Sequence, residues 1–273
     1  MGDIGAQTAV EAAGDGHYTA MVHGDWEIWG PCGGYVAALA LRAAGAQAPL
    51  VRPASFFCHY LSVAAFAPVD LVVTPLRLGR TVAAQRVAMS QEGRPVLEAM
   101  VWSVGEVEGL AHEDADAPDV PGPEELPERT MTPAAGRPAM RFWDNFDQRP
   151  LSWSDEWPPP GPLTPTWRTW VRPRPTAAFA DPWVDAARSL IVLDVGSWPA
   201  GSRPHQYLEP PFIAPSLDLY ASFQHSGADS DWVLLDAHSP VAHGGLLSWT
   251  GRVWSTQRTL IASGGGQAVF RHT

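Results

Sequence analysis

Lysine is missing from the chain: all 18 basic side chains are arginine. That excludes Schiff-base chemistry and a Walker-type phosphate loop, both of which use a lysine amine. Cysteine is scarce as well. Cys32 and Cys58 are the only two, and no CxxC or Cys/His cluster gives a zinc-binding spacing. Two buried thiols in a reducing cytoplasm are expected instead. Asp236, His238 and His243 resemble a metal set, but they fall around one strand and its turn, where solvated histidines are common. No metal and no cofactor is expected. Positive charge is short too: the formal net charge of -11 argues against nucleic acid as the main partner. No apolar run reaches the ~20 residues of a membrane span. The acidic start, Met1 to Gly16, has no charged-then-apolar signal pattern. A cytoplasmic protein without a membrane partner is the expectation. GxSxG, GxGxxG after a strand and HExxH are all absent, which removes the usual serine-hydrolase, dinucleotide and zincin signatures.

What is present is a plan given twice. A helix-like run opens at Gly33-Gly34-Tyr35 and is apolar nearly all round, as a helix enclosed by its surroundings would be. Four strand-like runs follow at about 52–61, 68–78, 81–91 and 95–104, with turn signals at Gly79-Arg80 and Glu92-Gly93-Arg94. A second helix runs from about Asp181 to Leu193, with Asp181 as N-cap and Pro182 at the first helical position. Strands then recur at about 212–223, 231–241, 246–256 and 259–271. Ser55 to Ser216 and Arg94 to Arg258 both step by about 160 residues, in the same order. Connections this short do not permit parallel crossovers, so each half is α+β with an antiparallel meander. The expected layout is a loose arm at 1–15, a first unit at 16–105, an acidic Pro-rich linker at 106–137 and a second unit at 138–273. Met140 to Trp143 and Trp167 to Val171 are expected to be the strands that open the second unit.

One acid stands out. Ala187, Leu190, Ile191 and Asp194 are spaced i, i+3, i+4 and i+7, so the carboxylate of Asp194 extends an apolar stripe. An unpaired buried carboxylate costs several kcal/mol, so this one needs a partner or a task. A helix ending before residue 194 would instead leave it capping a turn. The matching first helix, Gly33 to Leu50, has no acid. Ser216 is placed to orient a water for Asp194, or else to bond backbone beside Pro215. Asp218 follows two residues on, on the same strand face. Gly264-Gly265-Gly266-Gln267 lies within the last strand, where glycines mark a bulge, a bend or a close approach by a ligand. Pro31-Cys32-Gly33-Gly34 offers helix-start N–H groups that can hold a developing oxyanion.

With the duplicated helix-plus-meander in view, the chain resembles the double hotdog acyl-CoA thioesterases of the thioesterase II type. The likeness runs over about 16–104 and 138–272. Its first half rests on Trp29 to Tyr35, Arg52 to Ser55, Leu76 to Arg80 and Gln91 to Gly93. Its second half rests on Leu193-Asp194, Ile213 to Leu219 and Leu260 to Ser263. The resemblance implies a tandem hotdog, two antiparallel sheets each wrapped round a central helix. It implies hydrolysis of acyl-CoA by a water, without a covalent serine intermediate. It also implies a catalytic set of Asp194, Ser216 and Gln267. The family's Gln position falls on Gly266, so Gln267 stands one place late, and a bulge at the three glycines would be needed to restore it. Gly33, Gly34, Tyr35, His59 and Asp218 complete the candidate substrate-binding set. The expected partner is an acyl-CoA or another acyl thioester, and exposed sheet edges admit a homo-oligomer. The alternatives are an acyl-thioester-binding or biosynthetic protein on the same scaffold, or a dehydratase or cyclase. Against the last, His59 lies on a strand and neither helix run carries a histidine.

Overall fold

The computed structural model describes residues 1–129, 140–153, 161–205 and 212–272. Part of the expected linker (130–137) and the Pro158 to Pro160 patch lie outside the described residues.

The first unit comprises helix α1 (Ile4–Gln7), strands β1 (Glu11–Gly14) and β2 (His17–Met21), helix α2 (Gly33–Gln47), and strands β3 (Arg52–Tyr60), β4 (Pro68–Leu78), β5 (Val82–Gln91) and β6 (Arg94–Val104). The second comprises β7 (Phe146–Pro150), β8 (Thr166–Pro173), α3 (Pro182–Val195), α4 (Ser197–Ser202), β9 (Phe212–Ile213), β10 (Asp218–Phe223), β11 (Val233–His243), β12 (Leu246–Ser255), β13 (Leu260–Val269) and β14 (Arg271–His272). The tight turns fall where the sequence placed them. Gly93, at φ 77°, links β5 to β6, and Gly244 and Gly245, at φ 60° and 80°, link β11 to β12. Such left-handed backbone suits glycine, which has no Cβ to clash.

Twelve strands form one sheet in the order β1-β2-β4-β5-β6-β3-β10-β13-β12-β11-β8-β7. From β4 to β11 this order is a palindrome of the two meanders, as a duplicated unit requires. The expectation of two separate sheets is corrected here. β3 and β10 pair antiparallel, with Asp218 opposite His59, Leu219 opposite Cys58 and Tyr220 opposite Phe57. Each meander would otherwise expose a strand edge, and joining the two edges pairs their free N–H and C=O groups.

The two long helices lie side by side. α2 contacts β3 to β6, and α3 contacts β10 to β13 as well as β3. Small residues let them approach. A Cβ on Gly34 would meet the Leu190 carbonyl oxygen at 2.7 Å, and one on Gly45 would meet the Trp183 ring at 2.6 Å. The start of α2 therefore faces the end of α3, and the reverse, so the helices run antiparallel. The run Gly264 to Gly266 serves a related purpose: added Cβ atoms would collide with the carbonyl oxygens of Tyr220, Trp249 and Asp218. The close approach at these glycines is by the flanking strands β10 and β12.

Two local expectations are also corrected. Residues 1–15 are not a loose arm. Asp3 caps α1, Ile4 is 1% exposed, and the Gly2 N–H donates to Asn145 Oδ1 at 2.6 Å. A buried isoleucine and these polar contacts offset the entropy of ordering the segment. Arg141–Asn145 is a short 3-10 helix leading into β7, not a strand. The described part of the linker lies on the second unit: Ala115, Ala117, Val120 and Leu126 pack on a cluster of Trp170, Trp232, Leu234 and Trp254. The Trp170 indole donates to the Pro121 carbonyl at 2.9 Å. Tryptophans on β8 and β12 need a cover, and the linker supplies it.

Candidate active site

α3 continues to Val195, so Asp194 is helical and stays on the apolar stripe, 5% exposed. The antiparallel helix pair brings the start of α2 to its carboxylate. The Gly34 N–H donates to Oδ2 at 2.8 Å and the Cys32 thiol approaches the same oxygen at 3.6 Å. The Ser216 hydroxyl donates to Oδ1 at 3.1 Å. Burial pushes the carboxyl pKa above its ordinary value, and the bonds from Gly34, Ser216 and Cys32 offset part of that rise. The positive end of the α2 dipole acts in the same sense as those bonds.

Ser216 is aimed by backbone on both sides. The Leu217 N–H donates to the Gln267 carbonyl at 2.7 Å, and the Val269 N–H donates to the Pro215 carbonyl at 2.9 Å. Ser216 is held opposite Ala268 between those two bonds. Its hydroxyl turns to Asp194 and not to the backbone beside Pro215.

Gln267 is not brought to this group. β13 pairs with β12 in unbroken register from Ala262 to Val269, so no bulge occurs at the glycines. Gly266 and Ala268 are buried while Gln267 between them is exposed, as period-two alternation dictates. Its N–H donates to Asp218 Oδ1 at 3.0 Å, so Asp218 ties β10 to β13. His59 is exposed, with its ring edge-on to Phe57 at 4.7 Å. Tyr35 is fully buried, stacked on Trp26 at 4.9 Å with its hydroxyl 2.8 Å from the Gln7 carbonyl. It anchors the start of α2 to the N-terminal segment. Gly33 stays beside Asp194: a Cβ there would lie 3.1 Å from Oδ2.

Two residues at the site were not read as functional from sequence. Cys32 was expected as a buried thiol; burial, followed by the charge of Asp194, pushes its pKa well above the ordinary value, so it remains a neutral donor. Tyr60 ends β3 with a buried hydroxyl near Asp194. The signal for it was the alternation Phe56, Cys58, Tyr60 on one face of a strand. Two clefts lie elsewhere. One of about 270 Å³ is at the start of α3 beside Arg52, Pro182 and Phe223, and one of about 280 Å³ is beside Phe212, Leu246 and Phe270.

A base of this kind acts only when ionised. The kcat/KM of any reaction it drives is expected to fall as pH drops through a midpoint above the ordinary aspartate value, because burial has raised that pKa. Stability has the opposite sense. This group's stabilisation is full below the ordinary value and is lost as pH rises through the raised folded value. A pH–rate profile and a pH series of urea midpoints read the two effects.

Family models match both halves of the chain: the acyl-CoA thioesterase N-terminal domain over residues 22–104 and the acyl-CoA thioesterase C-terminal domain over residues 115–269. Among solved structures, the acyl-CoA thioesterase II TesB2 of Mycobacterium marinum is 22% identical, covers 99% of each chain and superposes with a TM-score of 0.81. A tesB protein of Mycobacterium avium subspecies paratuberculosis is 21% identical over 98% of each chain, with a TM-score of 0.79. A hot dog fold protein from Alicyclobacillus acidocaldarius is 21% identical over 99% of this chain and 98% of its own, also at 0.79. At these identities the structural likenesses show the fold. No curated protein sequence matches the chain.

Proposed function

The chain belongs to the acyl-CoA thioesterase family and is a thioester hydrolase, and from that premise we propose that Asp194 is the general base that draws a proton from the attacking water. The observation that carries the reading is a buried carboxylate held by three neutral donors, Gly34, Cys32 and Ser216. Those donors fix the carboxylate without quenching its charge as an arginine would. Water attacks the thioester carbonyl as Asp194 takes its proton. The tetrahedral intermediate then expels the thiolate, and Asp194 returns the proton to sulfur. Acyl thioester and water leave as carboxylic acid and thiol.

The parts are assigned by what each group has left to give. The Gly34 N–H is committed to Asp194, so it is not the oxyanion donor. At the first helical position Gly33 has an N–H with no intrahelical acceptor, and it takes that task. Ser216 keeps Oδ1 oriented, leaving the remaining lone pairs of the carboxylate for water. Gln267, with its side chain outside, has no part in this scheme. Ser216→Ala is expected to lower kcat about 10-fold, the loss of roughly one hydrogen bond to a charged group, with KM little changed. Steady-state thiol release reads both.

The exposed Gln267 favours a second reading, a protein that holds an acyl thioester without turning it over. Thiol release from a panel of acyl-CoAs of different chain length separates the two. Turnover of any member supports hydrolysis. Tight binding of a thioether analogue with no thiol released supports the binder.

A further inference from the structure

β3 directs Phe56, Cys58 and Tyr60 inward, while Phe57 and His59 are exposed. The Tyr60 hydroxyl is buried, and among the described residues it has no hydrogen-bond partner of good geometry; the Cys58 thiol is its neighbour. A buried hydroxyl left unpaired lowers stability, and natural interiors seldom keep one without a use. Desolvation first, then the neighbouring Cys58 and Asp194, pushes the phenol's pKa well above its ordinary value, so it stays protonated and can only donate to a bare oxygen. Its position is specific. The direction in which a Gly33 side chain would point is ringed by Asp194 Oδ2 at 3.1 Å, the Tyr60 hydroxyl at 3.2 Å and Asp194 Oδ1 at 3.3 Å. A base and a donor thus converge over Gly33 at the start of α2, a residue with no side chain of its own.

We infer that Tyr60 is a further catalytic residue, whose hydroxyl donates a hydrogen bond to the thioester carbonyl oxygen as attack by water makes that oxygen anionic. The inference rests on the hydrolytic reading above and names the oxyanion donor that acts beside Gly33. No bond to Tyr60 forms or breaks, and the phenol keeps its proton throughout. The role also gives a reason for a buried hydroxyl without a well-placed partner: its acceptor is the substrate.

The test compares Tyr60→Phe and Asp194→Asn with the parent on one hydrolysed acyl-CoA, with thermal melts of all three. Phenylalanine keeps the ring and removes only the hydroxyl. Expected for Tyr60→Phe is a fall in kcat of about 10²–10³, the usual loss for one oxyanion donor. KM should change little, and the thermal midpoint should be equal or higher, because an unpaired buried group has gone. A lost rate with a raised midpoint is a result that a packing role does not give. If Tyr60→Phe keeps the parent kcat while Asp194→Asn is inactive, the inference is overturned and the hydrolytic reading stands. A fall in kcat accompanied by a lowered midpoint assigns Tyr60 to packing and overturns it too. Parent-like rates in both variants sink the hydrolytic reading and the inference together.

Discussion

Asp194→Asn is expected to lower kcat on an acyl-CoA by about 10²–10⁴, the range that a positioned general base contributes, while the fold survives. An asparagine amide cannot take a proton from water, so the loss falls on the chemical step. The surroundings accommodate the change. The amide oxygen can accept from the Gly34 N–H and the Cys32 thiol, which both meet Oδ2 in the parent. Its NH2 group then faces Ser216, whose hydroxyl can rotate to accept, since a serine oxygen both donates and accepts. KM should therefore move little, and the thermal midpoint should not collapse. Thiol release at saturating substrate gives the rate, and circular dichroism of the same sample checks the fold.

Arg188→Leu is expected to cost about 3–5 kcal/mol of stability, the usual penalty for removing one partner of a buried ion pair. Arg188 is fully buried on α3. It donates to the carbonyls of Ala177 at 2.9 Å, Ser230 at 2.8 Å and Gly227 at 2.8 Å, and to Asp185 Oδ1 at 2.5 Å. Leucine fills the space but leaves these carbonyls unpaired. Asp185 would be left with the Gly227 N–H, now at 2.7 Å from Oδ2, as its remaining bond. Because the stranded carboxylate accounts for much of the loss, adding Asp185→Leu should recover part of it. Urea unfolding of the two single variants and the double variant completes the cycle. The pair holds the first turns of α3 to the segment around Gly227 and Ser230, and so fixes the helix that carries Asp194.

The sequence made the repeated meander readable because strand alternation and glycine turns are local signals. The runs expected at 68–78 and 81–91 became β4 and β5 within a residue. The inward turn of Asp194 was readable for the same reason: helical spacing alone placed it with Ala187, Leu190 and Ile191. The merging of the meanders into one sheet was not, because the pairing of β3 with β10 joins residues about 160 apart and leaves no local trace. Composition also misled at the N-terminus, where small polar residues suggested a free arm and Ile4 docked it. The partners of Asp194 show the same limit. Gly34 lies 160 positions from it in sequence, and only the antiparallel packing of two glycine-notched helices brings its N–H to the carboxylate. Gln267 shows how a strand's strict period of two decides a side chain's face, with nothing in the register of β13 to reverse it.

In the proposed mechanism Asp194 activates water and does not attack the thioester itself. Hydrolysis of an acyl-CoA in ¹⁸O-water, with enzyme in excess so that each molecule turns over at most once, tests for an acyl-aspartyl route that water opens at the aspartyl carbonyl. Direct attack by water places ¹⁸O in the released carboxylic acid on that first turnover and leaves the protein unlabelled, which is the predicted result. Unlabelled acid, with ¹⁸O found in the peptide that contains Asp194, would show a covalent acyl-aspartyl intermediate and contradict the account.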